Sequence, residues 1–330
     1  MTGSSRDPGG TLLNAVDFPA ETLRLVSECR DTLQRSGVEW ADWFAGVVRR
    51  SVESRAFEGV LWAEPGGDAV ALAEWEKAGE RGRRGWIYVA EGSQRASVFT
   101  TFLRRLDTMD PAGLPLLSCS PDLPGVPDSD RDAVFRDRGF RPVSRCDMIY
   151  PRNASLPAPL PAPGQDARSL TLADKEGMAK LDRRAYADNP IDRGLFTTAL
   201  DELEDARRAI ASSVGARYGR WLPEASFGIE QDGRLVALTL ANDFQGALIS
   251  DVAVDPAYRG KGLASRLLYL TVGALRSAGF EDPRLVVTMQ NRRAVRLYQR
   301  LGFQFVPGGS GRSWLNARAL GISPSEFSAD

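Results

Sequence analysis

A chain of 330 residues is long enough for two domains, and its 42 basic and 43 acidic residues nearly cancel, so no overall field favours nucleic acid or an anionic membrane. Histidine is absent, which excludes Ser-His and Cys-His nucleophile pairs and histidine-ligated metals; proton chemistry falls to Asp, Glu, Tyr, Cys, Lys, water or backbone. Cys29, Cys119 and Cys146 are scattered and form no C-x-x-C pair, the N-terminus lacks a hydrophobic segment, and no apolar run is long enough to span a bilayer, so the sequence reads as a cytoplasmic protein with free thiols and no metal.

In chain order, the pattern predicts a short strand at Thr11–Val16, helices at Ala20–Arg35 and Glu39–Arg55, and a hairpin of Gly59–Ala63 and Ala69–Trp75. A strand at Gly85–Ala90 then feeds a helix at Ala96–Leu106. Pro151, Pro157, Pro159, Pro161 and Pro163 cannot sit in a central strand or helix interior, and the domain boundary is placed there, giving 1–150, a linker at 151–168, and 169–330. Beyond it come a strand at Leu170–Leu172, helices at Lys175–Ala187 and Ile191–Val214, and a hairpin of Ser226–Glu230 and Leu235–Ala241 turning at Gln231-Asp232-Gly233. Leu248–Val254 is strongly β-like and runs into a helix at Gly262–Ala278 with Gly279 as its C-terminal cap. A strand at Leu285–Met289, a helix at Arg292–Leu301 and a final strand pair close the chain.

The second half repeats the first. Aligning Val89 with Val254 sets Gln94 against Arg259 and Phe102-Leu103 against Leu267-Leu268; at nearly the same offset, Val134–Phe140 matches Leu297–Phe303. Two registers that agree within two residues point to a duplicated fold.

The most informative segment is Asp251–Ala264, in which a strand ends at Pro256 and the run Arg259-Gly260-Lys261-Gly262-Leu263-Ala264 opens into a helix. Such a loop offers consecutive backbone N–H groups and the positive end of a helix to an anion, and glycine leaves no Cβ in the way. A pyrophosphate is the natural occupant; taken alone, the run would also serve as a tight strand-to-helix turn. The spacing resembles the acyl-CoA-binding signature of the GNAT superfamily of N-acyltransferases, Q/R-x-x-G-x-G/A, met by Arg259, Gly262 and Ala264. Asn291–Phe303 resembles that family's N-x-x-A-x-x-L-Y-x-x-x-G-F helix.

The resemblance implies an α/β (α+β mixed-sheet) fold of two tandem GNAT-like domains, each a mostly antiparallel twisted sheet flanked by helices. It implies acetyl-CoA or another acyl-CoA as co-substrate, cradled by Arg259, Gly260, Lys261, Gly262, Leu263 and Ala264 and gripped by Val252, Ala253 and Val254 on a strand splayed from its neighbour. Asn291 would contact the coenzyme, with Arg293 beside it, and Tyr298 would protonate the leaving thiolate, a step suited to a phenol near pKa 10. The acceptor amine must be neutral to attack. Asp251 is the leading general base because it shares a strand face with Ala253; it is also readable as a strand-end carboxylate, with Asp243 and Glu230 in reserve.

In the first half Gly262 becomes Ser97, Ala264 becomes Phe99 and Tyr298 becomes Phe135, so a non-catalytic copy is expected. Trp40, Trp43, Trp62, Trp75 and Trp86 could line a pocket or fill a core. The expected activity is direct acyl transfer to a primary amine of a small molecule or peptide, with no nucleic acid or membrane partner. The rival is a non-enzymatic acyl-CoA sensor or regulatory module.

Overall fold

The computed structural model describes residues 10–35, 41–55, 58–64, 67–78, 82–90, 95–106, 116–119, 128–155, 167–196, 203–215 and 218–327. Its elements run β1 (Thr11–Asn14), α1 (Pro19–Arg35), α2 (Ala41–Glu53), β2 (Gly59–Ala63), β3 (Ala69–Ala78), β4 (Gly82–Val89), α3 (Arg95–Leu106), β5 (Leu116–Cys119), α4 (Asp128–Asp137) and β6 (Phe140–Ile149). They continue with β7 (Ala167–Ser169), α5 (Lys175–Ala185), α6 (Pro190–Phe196), α7 (Leu203–Val214), β8 (Arg220–Trp221), β9 (Phe227–Gln231), β10 (Arg234–Asp243) and β11 (Ala247–Val254). The last are α8 (Leu263–Ser277), β12 (Arg284–Thr288), α9 (Arg292–Leu301) and β13 (Gln304–Asn316).

Two compact units result. The first holds Met1–Pro142 and Arg312–Pro324, the second Val143–Gly311 and Ser325–Asp330. The division falls ahead of the proline-rich 151–168 stretch, within β6, and residues 312–324 return to the first unit. Each half thus gives its last strand to the other unit: β6 pairs with β12 over Arg145–Ile149, and β13 pairs with β5 through Trp314 and Leu315. The expected final strand pair is the one long strand β13. The expected single helix at Ile191–Val214 is two, α6 and α7, with 197–202 outside the described residues.

The first unit pairs β1 to β4 antiparallel in sequence order. The period of two sends Leu61, Leu72 and Tyr88 toward α1 and α2, and Trp62, Ala71, Ala73, Ile87 and Val89 toward α3 and Phe135 of α4. Trp62 and Trp86 are therefore core residues; Trp40 and the side chains of Trp43 and Trp75 lie outside the described set.

The second unit repeats the plan, with β7, β9, β10 and β11 antiparallel neighbours. Leu238, Leu240 and Ala253 pack under α5 and α7, while Ala241, Ile249 and Leu285 pack under α8 and α9. Asp232 (φ 51°) and Gly233 (φ 72°) take the left-handed conformation that a two-residue hairpin turn requires. Gly279 (φ 92°) terminates α8, with its N–H and that of Phe280 donating back to Arg276 and Leu275, so the expected cap is present. No described helix is long and apolar enough to cross a membrane.

Candidate active site

The end of β11 is anchored from below. The buried Asp255 accepts from Arg184 Nε at 2.7 Å and from Ala257 N–H at 3.1 Å, while Arg184 also donates to the Leu235 carbonyl at 2.9 Å. Burial pushes the Asp255 carboxyl up, but Arg184 and the Ala257 amide outweigh it and hold the group below its ordinary range. After one 3-10 turn, Arg259 folds back: its guanidinium donates to Val254 O at 3.2 Å, to Ala185 O at 2.5 Å, and to Asp188. Arg259 therefore pins the loop to the end of α5 and keeps its charge beneath the loop.

Gly260 (φ 78°) and Gly262 (φ 79°) are both left-handed, and a Cβ at either would meet no heavy atom within 4 Å. The open space lies beside the first turn of α8, whose leading N–H groups have no partner inside the helix. Glycine here is required by the backbone and leaves room for a ligand, a combination that suits a pyrophosphate. The Lys261 ammonium lies 4.6 Å from the centre of the Tyr258 ring, on the same loop.

Upstream, β11 and β12 are parallel neighbours registered at a single pair, Leu248 with Arg284, so the strands diverge toward the loop. Ser250 is a bulge: Leu240 faces Asp251 and Ala241 faces Ile249, leaving Ser250 without an opposite residue. Its hydroxyl donates to Asn242 Oδ1 at 2.7 Å. Asp255 N–H donates to Val236 on β10; by strand alternation the backbone groups of Ala253 also face β10, and those of Val252 and Val254 face the gap. Of the three residues expected to grip the coenzyme, Val252 and Val254 turn their backbone groups to the gap and Ala253 turns its own to β10.

Beside the gap lies a buried polar group assembled from five elements. Tyr186, just past α5, donates to Asp251 Oδ1 at 2.8 Å. Asp182, one helical turn earlier, is 5% exposed and hydrogen-bonded to Asp251. Tyr298 of α9 is 8% exposed; burial first, and the charges of Asp251 and Asp192 second, push its phenol well above the ordinary value. The buried Asp192 of α6 accepts from Asn189 Nδ2 at 2.6 Å and from Asn291 Nδ2 at 2.7 Å. Arg145 of β6 is half-buried alongside; desolvation lowers its pKa, and Asp192, Tyr218, Asp147 and Tyr186 act in the opposite sense. Among the described residues no group of three or more Cys, Asp or Glu could hold a metal ion.

Residues 195–303 match the family model described as Acetyltransferase (GNAT) family. This segment is a GNAT domain. The chain is 32% identical over 175 residues to a mycothiol acetyltransferase of Thermobispora bispora, covering 49% of this chain and 55% of that one; it thus spans about half the length of this relative. Over nearly the whole chain, the fold is that of a GCN5-related N-acetyltransferase from Sphaerobacter thermophilus, with a TM-score of 0.62, 19% identity, and coverage of 94% of this chain and 96% of that one. It is also the fold of a tandem GNAT protein from the clavulanic acid biosynthesis pathway, with a TM-score of 0.55, 16% identity, and coverage of 93% and 98%. The tandem GNAT-like architecture inferred from the sequence is therefore the architecture of the protein.

The GNAT domain brings Asp251, Val252, Val254, Gly260, Lys261, Gly262, Leu263, Ala264 and Tyr298 to the gap and its mouth. Leu263 is buried as the first core residue of α8. Asn291 is spent internally, its Oδ1 capping α9 through Ala294 N–H at 3.1 Å and its Nδ2 bound to Asp192. Arg293 is exposed on the first turn of α9, with burial, the nearby Arg259 and Asp188 acting on its charge. The reserve carboxylates lie elsewhere: Glu230 pairs with Arg168, and Asp243 sits 3.7 Å from Arg220. Sequence reading missed Asp182, Tyr186, Asp192 and Arg145. Asp182 carried a signal, since it falls among Met178, Ala179, Leu181 and Ala185 on the apolar face of α5.

Proposed function

We propose that the second unit transfers an acyl group, acetyl in our reading, from coenzyme A to a primary amine within a ternary complex. The observation that supports this most is that the gap between β11 and β12, open toward the Gly260–Gly262 loop, is flanked by the half-buried Asp251 carboxylate and the buried Tyr298 phenol, which are electrostatically close to each other. Acyl-CoA would supply the activated thioester carbonyl. The loop amides and the N-terminus of α8 would hold its pyrophosphate, with Lys261 and Arg293 adding charge. Val252 and Val254 would offer backbone N–H and C=O groups to the pantetheine arm, and one of these amides would support the developing oxyanion.

Asp251 would take the proton that the amine must lose before it can attack. Tyr298, kept protonated by burial and by neighbouring negative charge, would deliver a proton to sulfur as the C–S bond breaks. Two groups with separated proton affinities divide the acid and base roles at one pH. The partial likeness to a mycothiol acetyltransferase supports a small-molecule amine as acceptor.

A panel of primary amines incubated with acetyl-CoA, read by free-thiol release and product mass, tests the proposal. Thiol release that depends on one class of amine is the expected result. Calorimetric binding of acetyl-CoA without thiol release across the panel would make the protein a binding module instead.

A further inference from the structure

A carboxylate has only acceptors, so two carboxyl groups can hydrogen-bond to one another only through a proton on one of them. Asp182 and Asp251 are joined by such a bond, and the proton has a preferred owner. Desolvation raises Asp251 as well, but Asp251 accepts from the Tyr186 hydroxyl at 2.8 Å and from the Val252 N–H, donors that stabilise an ionised group and act against that rise. Asp182 has neither: its Oδ1 is buried without a hydrogen-bond partner, and it lies on the apolar face of α5 beside Met178, Leu181 and Ala185.

We infer that Asp182 is a positioning residue that holds one proton against Asp251, so that the base facing the acceptor is a proton-sharing carboxyl pair rather than a lone carboxylate. This deepens the proposed acyl transfer and rests on it. The other groups facing the pair agree with the assignment. Tyr186 on the same helical segment, Tyr298 on α9 and Asp192 on α6 bring no positive charge, and Arg145 on β6 is the cation packed nearby, set among Asp192, Asp147, Tyr218 and Tyr186. Burial is the main force pushing Asp182 well above the carboxylate range, with the charge of Asp251 next.

In the reaction the pair begins with one proton and one negative charge. An acceptor ammonium gives its proton to Asp251, leaving a neutral amine and two neutral carboxyl groups. The amine nitrogen bonds to the thioester carbon, the C–S bond breaks, and sulfur takes a proton from Tyr298. The new amide nitrogen, which carries two hydrogens, gives one of them to the Tyr298 oxygen and keeps the other, and the pair loses its extra proton to solvent. The neutral Asp182 donor stabilises the ionised form of Asp251 without adding a second charge to the site.

Two readouts test the pair. Infrared difference spectroscopy of the resting protein should show the carbonyl stretch of a protonated carboxyl group at pH 7, and Asp182→Asn should remove it. This needs no turnover, so its outcome is separate from that of the amine panel. In kinetics, Asp182→Ala should lower kcat by about 10- to 100-fold and move the acidic limb of the kcat/KM profile upward, with KM for acetyl-CoA nearly unchanged. Asp182→Asn, whose amide can donate as the protonated acid did, should recover at least part of that loss. Absence of the carboxyl band at pH 7, its persistence in Asp182→Asn, or an Asn variant no better than Ala would each overturn the inference.

Discussion

The two units carry the same strand–loop–helix unit, and the contrast between them bears on the acyl-CoA site proposed for the second. In the second, Gly260 and Gly262 lead into α8 with open space at both positions, and β11 and β12 share one registered pair. In the first, residues 91–94 lie outside the described set, but α3 begins at Arg95, Ser97 stands where Gly262 does, and Phe99 is buried in the core. There β4 and β5 pair Arg83 with Leu116, Arg84 with Ser118 and Gly85 with Cys119, with the register shifting after the first pair. The counterpart of Tyr298, Phe135, is 1% exposed and stacked on Trp314, with ring centres 4.6 Å apart and planes 9° from parallel. At the places of Ala264 and Tyr298 the first unit carries buried aromatic core.

The contrast is broken most severely at the cradle. Gly262→Trp should abolish acetyl-CoA binding, because the side chain occupies the open space and a left-handed non-glycine residue costs about 1–3 kcal/mol besides. Calorimetry of a variant with an unchanged far-ultraviolet spectrum is the check; tight binding would place the cradle elsewhere. Ser97→Gly in the first unit should create no binding.

Next comes the acid. Tyr298→Phe should lower kcat by about 10²–10⁴ with the acetyl-CoA affinity nearly intact, measured by single-turnover thiol release. The reverse change in the first unit, Phe135→Tyr, should gain no activity and destabilise by about 1–3 kcal/mol, since its hydroxyl enters a pocket of Phe99, Phe140 and Trp314. Urea unfolding would register that cost.

A smaller effect sits under the loop. Arg184→Ala leaves the buried Asp255 carboxylate without its cation, and about 1–3 kcal/mol of stability should go; the figure is below that of a fully buried pair because Arg184 is a third exposed. Asp255 lies below its unfolded value, so its contribution is present above pH of about 4 and disappears as pH falls through the lower folded value. The stability difference between wild type and variant should therefore be full at pH 7 and shrink in acid.

How much of this was legible follows from which interactions are local. The loop at 259–264, the α9 segment from Asn291 to Phe303 and the turn at Asp232-Gly233 are set by neighbours in sequence, and all could be read. The division of the chain could not, because the partner chosen by β6 or β13 depends on which sheet edge is open, and hydrophobic alternation does not encode that choice. The pairing of Asp251 with Tyr186 spans 65 positions, and Arg145 reaches the second unit from ahead of the proline-rich stretch. Such groups meet only once the strands are ordered. Asn291 illustrates the converse: its place in a motif was plain, but its side chain is committed to Asp192 and to capping α9.

The central claim, that one of two similar units keeps the coenzyme site, is tested most directly by the stoichiometry of acetyl-CoA binding to the full chain. Isothermal titration should give one site per chain, lost in Gly262→Trp. Two sites per chain, or one that survives that substitution, would contradict it.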